Sequence, residues 1–126
     1  VANYAKLDHD EPIRLDPDSL EALYLELGPA GAENVVCRAM EELALRLSDL
    51  PKLHRAGRWD KLSRIARSMI AIARQVGLTG FARVAGDVAK CAVTGDPIAL
   101  SATLSRLERI GERSLTAVWD LQDPPI

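Results

Sequence analysis

Aromatic side chains are scarce in this chain of 126 residues: one phenylalanine, two tryptophans and two tyrosines make up 4% of it. A core built with so few rings must come from Leu, Ile, Val and Ala, which favours packed helices. Long apolar runs are missing too. No stretch approaches the ~20 apolar residues needed to span a bilayer. The opening VANYAKLDHDEP has no apolar centre of a secretory signal, so a cytoplasmic protein without a membrane role is expected. Cysteine is limited to Cys37 and Cys91, far apart and without metal-ligand spacing; they read as small core residues in a reducing compartment. The two histidines are His9 and His54. There is no Ser-His-Asp set, no metal-ligand cluster and no glycine-rich phosphate loop. Glu41 and Glu42 are adjacent and so point in different directions. An enzyme is not expected, and neither a metal nor a cofactor is implied.

What is present is apolar bulk, at 48% of the chain, and an uneven charge distribution beneath a net charge of -2. Residues 1–50 hold four basic side chains (Lys6, Arg14, Arg38, Arg46) against eleven acidic ones, whereas residues 51–126 hold twelve basic against seven acidic. The second half is therefore positive, which suits an acidic partner. Nucleic acid fits poorly, because no aromatics interleave with the cations and no reading motif occurs.

Residues 1–15 are polar and aperiodic and read as an N-terminal arm; residues 16–121 form the domain, and residues 122–126 a tail. Asp16-Pro17 is a helix start, a capping carboxylate followed by proline at the first helical position. Leu20, Leu23, Tyr24 and Leu27 follow at helical spacing until Gly28-Pro29 stops the run. A second helix is predicted from about Gly31 towards Arg55, with Val36, Met40, Leu43, Leu47 and Leu50 as its apolar stripe and Pro51 expected to kink or interrupt it. A third runs from Trp59 to Val76 and ends at Gly77. A fourth covers Thr79 to Ala92 with Phe81, Val84, Ala85 and Val88 inward. Asp96-Pro97 repeats the capping device, and Leu100, Leu104, Leu107, Ile110 and Val118 trace the seam of the fifth. No period-two strand pattern appears. The expectation is an all-α, up-down-up-down four-helix bundle with a short N-terminal capping helix.

The third helix carries the functional signal. At about 100° per residue, Leu62, Ile65, Ala66, Met69, Ile72, Ala73 and Val76 share the core arc. Lys61, Arg64, Arg67, Ala71 and Arg74 fall on the opposite arc, with Ile70 at the edge. Asp60 is the one acid in this helix, so the outward stripe is cationic.

The run Gly57-Arg58-Trp59-Asp60-Lys61-Leu62-Ser63-Arg64-Ile65-Ala66-Arg67-Ser68-Met69-Ile70-Ala71, followed by Gly77, resembles the histidine phosphotransfer (HPt) family. Those helical bundles carry a pattern of the type G-D-W-x-x-L-x-x-x-A-H-x-L-K-G, with a glycine ten residues after the histidine. The Gly, Trp, Leu, Ala and later Gly fall in register, and Met69 is an acceptable Leu. The likeness extends to Leu15-Asp16-Pro17 upstream and Thr94-Gly95-Asp96 downstream, and so covers roughly residues 15–118.

The departures bear on chemistry. In the family an exposed histidine exchanges a phosphoryl group with a receiver aspartate, a lysine three residues on offsets phosphate charge, and a glycine four residues on lets the partner approach. Here these positions hold Arg67, Ile70 and Ala71. A protonated guanidinium has no lone pair with which to attack phosphorus. His9 lies among Asp8, Asp10 and Glu11, and His54 near a turn, so neither is a natural substitute. The resemblance therefore implies a non-catalytic HPt-like module, with no relay through residue 67, that binds a response-regulator receiver domain or a histidine kinase through Arg64, Arg67, Ile70, Ala71 and Arg74. The alternative is a structural or self-associating bundle, a homodimer with Trp59, Trp119 and Leu121 as an apolar patch.

Overall fold

The computed structural model describes residues 15–122, and side chains as far as residue 118. Four helices make up the described residues: α1 (Pro17–Arg55), α2 (Trp59–Gln75), α3 (Thr79–Thr94) and α4 (Pro97–Gln122). Sequence neighbours pack side by side, α1 on α2, α2 on α3 and α3 on α4, and a smaller α1–α4 contact closes the ring. Connections this short, two or three residues each, make successive helices antiparallel. The result is the expected up-down-up-down bundle.

The start of α1 follows its capping chemistry. Asp16 Oδ1 accepts the Asp18 N–H at 3.1 Å and Oδ2 accepts the Ser19 hydroxyl at 2.8 Å, with Pro17 behind the cap. The two expected first helices run together as one span, broken only at Gly28, whose backbone (φ 75°, ψ 169°) leaves the helical region. Glycine tolerates that φ, and Pro29 is suited to restart a helix at once. Leu20 and Leu23 of the first segment pack against the core, whereas Leu27, expected on the same inner face, is exposed. The helix is not interrupted at Pro51: it continues to Arg55 with no non-helical residue there. Pro51 lies in the last turn and a half, so its ring sacrifices one backbone bond near the end, while fully buried Leu50 holds that turn to the core.

The helix ends are closed locally. Arg58 N–H reaches Leu53 O (3.0 Å) around Gly57, and Leu78 N–H reaches Ala73 O (2.9 Å) around Gly77; both are six-to-one closures with the glycine at positive φ. Asp96 Oδ1 accepts the N–H groups of Ile98 and Ala99, both at 3.1 Å, at the head of α4.

The α2–α3 turn also anchors the beginning of the domain. Asp16 N–H donates to Gly77 O at 2.7 Å, and Leu15 forms an isolated antiparallel bridge with Leu78. A Cβ on Gly77 would lie 2.5 Å from Asp16 O, so glycine here serves both the left-handed turn and the close approach of a second backbone. Leu15, assigned to the arm by sequence, thus belongs to the bundle and packs against its core.

The core is aliphatic, with Met40, Leu43, Leu50, Leu62, Met69, Leu78, Leu100, Leu107 and Ile110 around the single Phe81. Leu47 is only half-buried. Cys37 and Cys91 are also half-buried rather than in the core, and neither forms a disulfide. Among the described residues no helix is long and apolar enough to cross a membrane.

Candidate functional site

The outward face of α2 is arranged as its periodicity requires. Leu62, Ala66, Met69 and Ala73 are buried, and Val76, the residue after the helix, is buried as well. Ile65 and Ile72 are half-buried flanks of that arc. Lys61, Arg64, Arg67, Ala71 and Arg74 are all exposed. Of the predicted site residues, four therefore share one solvent-facing strip. The fifth, Ile70, is half-buried and packs against the core; a Cβ on Gly86 would lie 3.6 Å from its Cδ1. Its bulk seals the α2–α3 seam beside the strip.

The electrostatics of the strip are graded along its length. At the N-terminal end Asp60 lies 3.8 Å from Arg58 Nε and 3.8 Å from Arg64 Nη2. These side chains are largely exposed, so such pairs hold weakly and exchange readily. Asp60 nevertheless interleaves with the cations, and its i,i+4 spacing to Arg64 is the sequence signal for that pair, so the outward stripe is not purely cationic. Farther along, Arg67 and Arg74 make no ion pair or hydrogen bond among the described residues. Arg83 and Lys90 are exposed on the adjacent α3, where Asp87 is half-buried, so the surface of these two helices is predominantly positive.

Two neighbours of Arg67 are not legible in the sequence. On one side Arg46 of α1 donates through Nε to the Ser68 hydroxyl at 3.1 Å and pairs with Glu42 at 3.6 Å. On the other side a shallow open groove runs between α2 and α3, lined by Trp59, Asp60, Ser63, Arg64, Arg67, Ala92 and Val93. Ser63 is buried in its floor and donates to Ala89 O at 3.1 Å, joining the helices. Its position four residues after Trp59 and three before Ala66 is the signal that places it towards α3.

The remaining sequence candidates lie elsewhere. His54 is half-buried in the last turn of α1. Its ring stacks on Trp59 (centroids 6.5 Å apart, planes at 20°), and Nε2 is 3.5 Å from Ser101 Oγ. His9 and the side chains of Trp119 and Leu121 fall outside the described residues. Among those described, no group of three or more His, Cys, Asp or Glu is placed to hold a metal ion.

Comparison with known proteins gives no match, whether to a family model, a curated protein or a solved structure.

Proposed function

We propose that this chain is a non-catalytic, HPt-like signalling module that docks on a receiver domain or histidine kinase of a two-component system without relaying phosphate. The observation that carries this reading is Arg67, exposed and unpaired among the described residues at the centre of the α2 face, in the register position where the resembling domains place histidine. A receiver's active site is a cluster of carboxylates, and a guanidinium offers a planar fork to a carboxylate or phosphoaspartate. Ala71, one turn on, keeps the face low enough for close approach. Docking of this kind sequesters a receiver or competes with an active phosphotransfer protein.

The test is binding to a panel of receivers, with and without an acyl-phosphate mimic. The expected result is a complex that Arg67→Asp weakens and that rising salt weakens further, since exposed charges are screened. No binding to any receiver, or binding indifferent to Arg67→Asp, refutes the proposal. Labelled phosphate passing to the chain from a receiver would refute its non-catalytic part.

A self-associating bundle is the second reading. It is favoured by Val93 (66% exposed) and Ile98 (82% exposed), which flank the α3–α4 turn. Sedimentation of the wild type against Val93→Asp/Ile98→Asp decides it: a dimer lost in the variant supports self-association, and a monomer throughout removes it.

A further inference from the structure

Two exposed patches at opposite ends of the bundle complement each other. In the first segment of α1, Asp18, Glu21, Ala22 and Leu25 follow one another at helical spacing, and all four are exposed. Leu25 is 80% exposed. No lysine or arginine occurs from residue 15 to residue 37, so this leucine stands in a purely acidic stretch of sequence. The groove between α2 and α3 is the converse. Trp59, Ala92 and the exposed Val93 give it an apolar lining, with Arg64 and Arg67 beside them. Asp60 also lines it but already lies near Arg58 and Arg64, which leaves Arg67 as the open cation.

We propose that this groove takes the Leu25 stripe of a second copy of the chain, with Leu25 set between Trp59 and Val93 and Glu21 on Arg67. The proposal rests on the self-association reading and gives it a geometry.

Distance rules out the contact within one copy. Asp16 is bonded to Gly77 at the α2–α3 turn, whereas Trp59 and Val93 lie at the other ends of α2 and α3. From Pro29 to Arg55, α1 runs about 40 Å at ~1.5 Å per residue; Leu25 precedes that stretch and Trp59 follows it. A chain therefore offers a stripe at one end and a groove at the other, and fills neither itself.

Pairing of unlike patches is heterologous. Each added copy leaves one stripe and one groove open, so growth continues beyond two unless a ring closes. Spacing suits the two contacts, since Glu21 and Leu25 are one turn apart, with ~5–6 Å between their Cβ atoms, and Arg67 and Val93 border the same groove. A small, charge-assisted interface of this kind is weak and salt-sensitive. It also occupies Arg67, so self-association and an acidic partner compete for one face.

The experiment is sedimentation equilibrium of the full chain up to about 1 mM, the weak end of specific affinity. The expected result is a mass that rises with concentration, shows no plateau at two copies and falls at about 1 M salt, where the Debye length is about 3 Å. Glu21→Lys/Leu25→Asp removes the stripe and Arg67→Glu/Val93→Asp removes the groove; each variant should stay monomeric. Mixed in equal amounts they should form a heterodimer and nothing larger, because one keeps a groove and the other a stripe. All four side chains are exposed, and far-UV circular dichroism checks that both variants fold. A charge exchange within one chain, Glu21→Lys/Arg67→Glu, should regain the association that either single change loses.

A wild type that stays monomeric overturns the proposal together with self-association itself. Association that survives loss of the stripe, or that neither the mixture nor the charge exchange regains, overturns the proposal and leaves a symmetric dimer standing. Both outcomes are read without a receiver and so are separable from failure of the receiver-binding test.

Discussion

Replacing Gly77 with alanine should impose two penalties that other glycines of the same chain can separate. The first is conformational. Gly77 has φ +78°, and an L-residue there costs roughly 1–2 kcal/mol. The second is steric, because the new Cβ would sit 2.5 Å from Asp16 O, a backbone atom that cannot rotate away. Relief requires Asp16 to withdraw, which sacrifices the 2.7 Å bond from its N–H to Gly77 O and loosens Leu15. A bond of that kind is worth about 0.5–1.5 kcal/mol. Gly57 and Gly95, at φ +70° and +76°, have open space where a Cβ would go, with nothing within 4 Å. Gly57→Ala and Gly95→Ala should therefore cost about 1–2 kcal/mol each and Gly77→Ala about 1.5–3.5 kcal/mol. Equilibrium urea unfolding of the three variants gives the comparison, read as a change in midpoint at constant slope. If Gly77→Ala costs no more than the other two, the approach of Asp16 contributes nothing to stability, and the anchoring role of this turn is wrong.

Three further outcomes follow from particular contacts. Gly111→Ala should destabilise despite the better helix propensity of alanine, because its Cβ would lie 2.7 Å from Leu47 Cδ2 and 2.9 Å from Phe81 Cε2. A net loss of about 1–2 kcal/mol is expected, and combination with Leu47→Ala should be less than additive in denaturant titrations. Asp96→Ala removes the acceptor of two backbone N–H groups and should cost about 0.5–2 kcal/mol in thermal or urea unfolding. Arg67→Asp should alter stability by no more than about 0.5 kcal/mol, since the exposed side chain has no partner among the described residues; a larger loss in calorimetry would mean that its effect on binding could not be assigned to the surface.

Periodicity makes the helical layout legible because each helix buries one stripe, and Leu100, Leu104, Leu107, Ile110 and Val118 all lie inside. Capping pairs are equally readable, since Asp16-Pro17 and Asp96-Pro97 act within four residues of themselves. Sequence and structure part where a local rule meets a distant partner or a helix end. Pro51 carries a breaking signal, but it falls close enough to the terminus for α1 to continue. Leu27 fits the inner spacing of its segment, yet the break at Gly28 follows it and it remains exposed. The exposed strip of α2 is visible as an arc of Lys and Arg. Its borders are not, because Arg46 and Val93 reach it from other helices, and angular arithmetic on one helix contains no information about its neighbours.

The inner side of α2 has a consequence for its outer side. Ala66 and Ala73 are fully buried there, and α3 contributes Ala82, Ala85 and Ala89 to the same core, while the Ser63 hydroxyl fastens the two backbones through Ala89 O. Such short side chains have almost no rotameric freedom to lose or regain. If a partner docks on the face that displays Arg67, as proposed, little side-chain entropy beneath that face remains to be lost. The entropy lost in such docking would fall mainly on the long cationic side chains, so shortening or bracing those arms, rather than remodelling the bundle, would be the direct route to tuning affinity.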